Sequence, residues 1–141
     1  MNEYKYNING RMAERGILYM VRGIRGATTV LRNDSEDIIN ETTKLLEEIR
    51  NANDLSEEDI ISVIFTVTND LNAVFPAVAA RKIGWTSLAL MCMTEIDVPG
   101  SLKKCIRVLL HINTKKAQSE IKHIYLNNAK VLRPDIIDKQ L

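Results

Sequence analysis

The sequence predicts an α+β domain in which helices cover one face of a mixed β-sheet. Residues 60–68 form a near-continuous apolar, β-branched run of the kind found in a buried strand. Residues 34–53 instead repeat apolar side chains at helical spacing. Strand-like and helix-like segments then interleave along the chain, which favours helices layered on a sheet over a bundle or a sandwich.

In chain order, residues 19–30 carry Val21, Ile24, Thr28, Thr29 and Val30, interrupted by Gly23 and Gly26, and read as a strand that something approaches closely. Asp34 or Ser35 caps a helix reaching about Asn53, with Ile38, Ile39, Thr42, Leu45, Leu46 and Ile49 on one face. Residues 56–59 form a turn or short capped helical start, and 60–68 a buried central strand. Pro76 opens a short helix that Gly84 stops. Residues 85–93 are a third strand, 95–100 a loop turning at Pro99-Gly100, and 105–113 a fourth strand. Residues 119–126 fit either a short helix or an edge strand, and 129–132 a last helical turn.

The 141 residues are 45% hydrophobic and 26% charged, the balance of one globular domain. Net charge is +1, and no basic, aromatic-interleaved stretch marks a nucleic-acid surface. Residues 1–19 lack periodicity and read as an N-terminal extension, disordered or added to the native chain. Residues 20–135 form the domain, and 136–141 a flexible tail. Lys5, Arg11 and Arg15 against Glu3 and Glu14 give the extension the whole net charge. With neither an apolar leader core nor a bilayer-length apolar run, the chain reads as cytoplasmic. Cys92 and Cys105 read as reduced thiols, and with His111 and His123 they form no metal-ligand spacing. Several apolar strands with only two covering helices leave a sheet face in need of burial, which self-association would supply.

The functional signal is a set of arginines on apolar runs: Arg25, Arg81 and Arg107. A guanidinium is expensive to bury unpaired and grips carboxylates two-pronged, so converging arginines point to a multiply charged small anion. Each could instead pair with a neighbouring acid. Glu95, at the end of a strand, is a candidate functional carboxylate or a solvated loop acid. Cys92 reads as a buried thiol with no sequence-adjacent histidine to activate it. His111 shares a strand face with Arg107 and Leu109, and Tyr125 is either a polar-tipped core residue or a hydrogen-bond donor. Arg133 precedes Pro134 near the end of the domain. No phosphate loop, Ser-His-Asp arrangement or metal box accompanies them, an inventory suited to binding or to a reaction needing only orientation and electrostatic stabilisation.

Five segments in order extend this reading: Arg-Gly-Ile-Arg-Gly-Ala-Thr-Thr at 22–29, Ala-Val-Phe-Pro-Ala at 73–77, Cys92-Met93 followed by Glu95 and Asp97, Leu-Lys-Lys-Cys-Ile-Arg-Val at 102–108, and Tyr125-Leu126 followed by Val-Leu-Arg-Pro-Asp at 131–135. Together they resemble the monofunctional AroH-type chorismate mutases of Bacillus and related bacteria. The resemblance implies an isomerase that converts chorismate to prephenate in phenylalanine and tyrosine biosynthesis, by a Claisen rearrangement that requires no cofactor. It also implies a homotrimer with a pseudo-α/β-barrel centre and active sites between subunits.

By the same resemblance, Arg107 stabilises negative charge on the ether oxygen, Arg25 contacts the ether and carboxylate region, and Glu95 with Cys92 meets the ring hydroxyl. Phe75, Ala77, Tyr125 and Leu132 shape the pocket, while Arg81 and Arg133 close near the carboxylates. Val78 and Met91 depart from the family, whose Bacillus members often carry Lys and Thr there. The rival reading is a non-catalytic trimeric module that binds or senses an aromatic-pathway dicarboxylate.

Overall fold

In a computed structural model, residues 19–135 are described together with the strand pair β1 (Lys5–Tyr6) and β2 (Met12–Ala13), which join antiparallel. The expectations for the rest of the extension and for the 136–141 tail lie outside the described residues. The domain runs β3 (Met20–Thr29), α1 (Ser35–Asn53), β4 (Ile60–Val67), α2 (Ala77–Lys82), β5 (Ala89–Thr94), β6 (Cys105–Thr114) and β7 (Ile124–Tyr125). Short 3-10 turns at Glu57–Asp59, Gln118–Glu120 and Asn127–Leu132 complete it.

Helix α1 begins where expected because Asp34, extended at φ −134°, accepts the backbone N–H groups of Glu36 and Asp37, each at 3.1 Å. Those two acids in the first turn and Arg50 in the last complement the helix dipole. Ile38, Thr42, Leu45, Leu46 and Ile49 are buried, as the spacing predicts. Ile39 lies only at the margin of that face.

The five-stranded sheet has the order β5-β4-β6-β3-β7. β6 is antiparallel to both β3 and β4, whereas β5 and β7 are edge strands parallel to β4 and β3. The sheet is mixed, with α1 and α2 on one face. The run at 60–67 is an interior strand flanked by β5 and β6, as its apolar content predicts, and β6 stands in the middle of the five. One expectation is corrected. The third strand begins at Ala89 rather than residue 85. Trp85 is buried in the core ahead of it, and the Glu57 carboxylate takes the backbone N–H groups of Thr86 and Ser87 and the Ser87 hydroxyl, holding that segment outside the ladder. Residues 119–126 divide between the two readings, a 3-10 turn followed by a two-residue strand.

Alternation along β6 sorts the two faces. Ile106, Val108, Leu110 and Ile112 are buried beneath the helices, while Arg107, Leu109 and His111 point to the other, half-exposed face. Ile24, Leu45, Leu46, Ile49, Phe65 and Val108 belong to the main core cluster. Gly26 leaves room for an α1 side chain against the sheet: a Cβ there would lie 2.8 Å from Ile49 Cδ1, 3.1 Å from Val108 Cγ2 and 3.2 Å from the Ile124 carbonyl oxygen. Gly26→Ala is therefore expected to cost about 1–3 kcal/mol through overpacking. Gly23→Ala, whose Cβ would meet only Leu109 Cδ1 at 3.8 Å, provides the comparison in denaturant unfolding.

Candidate active site

The open face of the sheet brings distant residues into one row. Register aligns Tyr125 with Ala27, Ala27 with Arg107, Arg107 with Thr66 and Thr66 with Met93, across β7, β3, β6, β4 and β5. The next row sets Arg25 beside Leu109, Leu109 beside Ile64 and Ile64 beside Met91. Ala27 is the small member of the first row. Tyr125, Cys105, Ala129 and the half-buried Leu132 pack around it as a separate apolar cluster.

Arg25, Ile64, Thr66, Met93, Glu95 and Arg107 contribute to the lining of a cavity of about 340 Å³ on this face. Glu95 leaves the end of β5 with its backbone N–H on the Val67 carbonyl at 2.8 Å. Its Oε2 accepts the Thr66 hydroxyl at 2.8 Å, and its Oε1 accepts the Ile96 N–H at 3.3 Å. The guanidinium of Arg107 stands close by, with Nε 3.7 Å from the same Oε2. That distance is an ion pair but too long for a hydrogen bond. Arg107 Nε is buried without a hydrogen-bond partner, and so is the Tyr125 hydroxyl. Of the two, Arg107 lines the cavity, and an unsatisfied buried donor there is what a polar ligand would satisfy.

Arg25 lends its backbone to a second anchor: its N–H donates to Nδ1 of His123 at 2.8 Å, which ties β3 to the segment leading into β7. Burial holds the His123 pKa below its ordinary value, helped by the charges of Arg133 and Arg25. The imidazole is therefore neutral and able to accept at Nδ1. Well above the ordinary histidine pKa of about 6.5, folded and unfolded chains are both neutral at this residue and it adds no pH dependence. Below that, the unfolded chain takes up a proton that the fold resists, so stability falls with pH until the folded pKa is passed. Acidification from pH 7 to 5 is expected to destabilise the parent more than His123→Gln, as urea midpoints across that range would register.

A second group lies on the other side of β5. Cys92 and Met93 are consecutive, so Met93 faces the arginine cavity while Cys92 faces α2. Phe75, Ala77, Arg81, Leu90, Met91 and Cys92 line a shallow pocket there. Phe75 is 67% exposed, unusual for an aromatic side chain in a finished core. Burial pushes the Cys92 thiol up, outweighing the opposing effects of the Ala77 backbone N–H and of Arg81. Cys92 is thus a neutral thiol, a hydrogen-bonding group rather than a nucleophile. Cys105 is buried, and its thiol is raised in the same way against the pull of Arg107.

The structure thus gathers Arg25, Glu95 and Arg107 on the open face with Tyr125 and Leu132 at its β7 side, and gathers Phe75, Ala77, Arg81 and Cys92 behind the β5 edge. It does not bring the two groups together within one chain. Arg133 is exposed and forked onto Asp135, with Nε and one terminal nitrogen each 3.1 Å from a carboxylate oxygen. His111 shares the open face but spends Nδ1 on the Ser62 hydroxyl at 3.0 Å. The anchors missed from sequence are Thr66 and His123. Thr66 lies within a run that reads as a plain buried strand, and its proximity to Glu95 depends on the pairing of β4 with β5.

Comparison with known proteins places this geometry among relatives. The family model described as chorismate mutase type I matches residues 21–136. Chorismate mutase AroH of Bacillus subtilis (strain 168) is 48% identical over 118 residues, covering 83% of this chain and 93% of that protein. Chorismate mutase AroH of Thermus thermophilus is 48% identical over 122 residues, covering 86% of this chain and 100% of that protein. A solved chorismate mutase from Clostridium thermocellum superposes with a TM-score of 0.77 at 65% identity, covering 77% of this chain and 97% of that one.

Proposed function

The chain belongs to the chorismate mutase type I family, and from that membership we propose that Arg107, Glu95 and Arg25 carry its conversion of chorismate to prephenate. The reaction breaks an ether C–O bond as a C–C bond forms within one molecule. No proton need be transferred and no covalent intermediate is required, so catalysis reduces to holding a reactive conformer and stabilising the charge that develops as the C–O bond lengthens.

The observation that carries this reading is the buried Arg107 Nε without a hydrogen-bond partner, set 3.7 Å from a carboxylate that is itself held by two other donors. A preorganised donor aimed into a cavity stabilises the oxygen that gains negative charge without reorganising during the reaction. Arg25 lines the same cavity and supplies a second positive charge for a carboxylate of the dianionic substrate. Glu95 meets the ring hydroxyl and faces the complementary positive charge on the ring fragment. Cys92, as a neutral thiol, shares that hydroxyl. Phe75, Ala77, Tyr125 and Leu132 enclose the ring, and Arg81 and Arg133 close over the carboxylates. For Arg133 this means exchanging Asp135 for substrate.

The two groups of residues on opposite sides of β5 support the finer proposal of a homotrimer in which the open face of one subunit meets the β5 edge of the next. Exposed Met91 and Met93 and the half-exposed Leu109 and Ile64 provide apolar surface for such a contact. Each site would then be built from two chains.

Co-expression tests this arrangement. Arg107→Ala and Arg81→Ala subunits, each poorly active alone, are expected to recover about a quarter of parental activity when mixed equally, the share of interfaces that draws both intact halves in a cyclic trimer. Mixtures no more active than the average of the two separate variants would place both residues in a site within one chain.

A further inference from the structure

We propose that Thr66 is a positioning residue for this reaction, holding the Glu95 carboxylate off Arg107 so that both charges remain free for substrate. The inference rests on the site reading above and deepens it. A carboxylate beside a guanidinium normally closes to a forked pair at roughly 2.7–2.9 Å. Here the Arg107 Nε to Glu95 Oε2 separation is 3.7 Å, although both side chains are about three-quarters shielded from solvent and nothing polar satisfies that Nε.

What prevents closure is visible in the bonding of Glu95. The oxygen nearest Arg107 is the one that accepts the Thr66 hydroxyl at 2.8 Å, while the other accepts the Ile96 N–H. Thr66 is the direct cross-strand neighbour of Arg107 on β4, and its side chain lies on the same face. It is therefore placed to anchor the carboxylate beside the guanidinium without letting it dock. A collapsed pair would neutralise itself, and substrate would have to break a charge-assisted bond before using either group.

Thr66 needs to touch no reacting atom for this. Its hydroxyl is required, and its methyl group only packs. Removing the hydroxyl should release Glu95 toward Arg107, whereas serine should retain the anchor.

The test compares the parent with Thr66→Val, Thr66→Ala and Thr66→Ser in steady-state conversion of chorismate, alongside thermal unfolding and a crystal structure of Thr66→Val. The valine and alanine variants are expected to remain folded and to lose roughly tenfold to hundredfold in kcat/KM, the worth of one hydrogen bond to a charged group, with most of the loss in kcat. The serine variant should stay within a few-fold of parent, and the Thr66→Val structure should show Arg107 and Glu95 closed to hydrogen-bonding distance. If valine should unfold the chain, alanine carries the same comparison. Parental kcat in both hydroxyl-free variants, or a serine variant as impaired as valine, would overturn the positioning role while leaving the site reading intact. A folded parent that turns over no chorismate would instead overturn the reading on which the inference rests.

Discussion

Arg107→Ala is expected to abolish most chorismate turnover while leaving the fold intact. Its guanidinium is the one cavity group whose nitrogen is both buried and unsatisfied among the described residues, so it holds unused donor capacity at the cavity proposed to take the substrate. Loss of one preorganised donor of this kind costs about 3–4 kcal/mol of barrier, or roughly a hundredfold to a thousandfold in rate. The fold should survive because the Arg107 side chain lies on the half-exposed face, away from the main core. Arg107→Lys should also be severely impaired, since an ammonium keeps the charge but loses the planar fork. Full activity in the lysine variant would show that charge alone suffices.

The largest effect on stability is expected at Phe65. It is among the largest of the fully buried side chains, sits in the main core cluster, and lies opposite Cys92 on β5 and Val108 on β6. Phe65→Ala should cost about 3–5 kcal/mol through lost burial and the cavity left behind. It should also loosen both groups of site residues, because Thr66 follows it directly on the open face and Cys92 pairs across from it on the helix side. Denaturant unfolding of the variant at fixed protein concentration measures the loss. A change under 1 kcal/mol would mean that the strands reclose around the gap.

Elements governed by local chemistry were legible in the sequence. Asp34 before an apolar 3.6-residue period marks α1, and Pro76 and Gly84 bracket α2. Gly84, at φ +96°, ends that helix in the left-handed region that glycine enters at little cost. What failed depended on distant partners. Trp85 reads as strand because nothing local reveals that Glu57 takes up the N–H groups of Thr86 and Ser87, 29 and 30 residues further on. The two-residue strand at Ile124–Tyr125 exists through pairing with Gly26 and Ala27, almost a hundred residues earlier.

The site followed the same division. Arg25, Glu95 and Arg107 were readable as a charge inventory with no nucleophile to accompany them, and alternation along β6 placed Arg107 correctly with Leu109 and His111. The separation of Cys92 from Glu95 was available in principle, since Cys92 and Met93 are adjacent on a strand and must face opposite ways. Thr66 and His123 could not be singled out, because a hydroxyl in a β-branched run and a histidine beside a short strand become informative only once β4, β5 and β7 are in register.

The most direct measurement follows the loss of chorismate absorbance with purified protein, identifies the product, and runs Arg107→Ala in parallel. Steady conversion to prephenate by the parent and its near-complete loss in the folded variant is the predicted result. A folded parent that leaves chorismate unchanged, or an Arg107→Ala variant that matches it, would contradict the assignment of this arginine-lined cavity as a chorismate mutase active site.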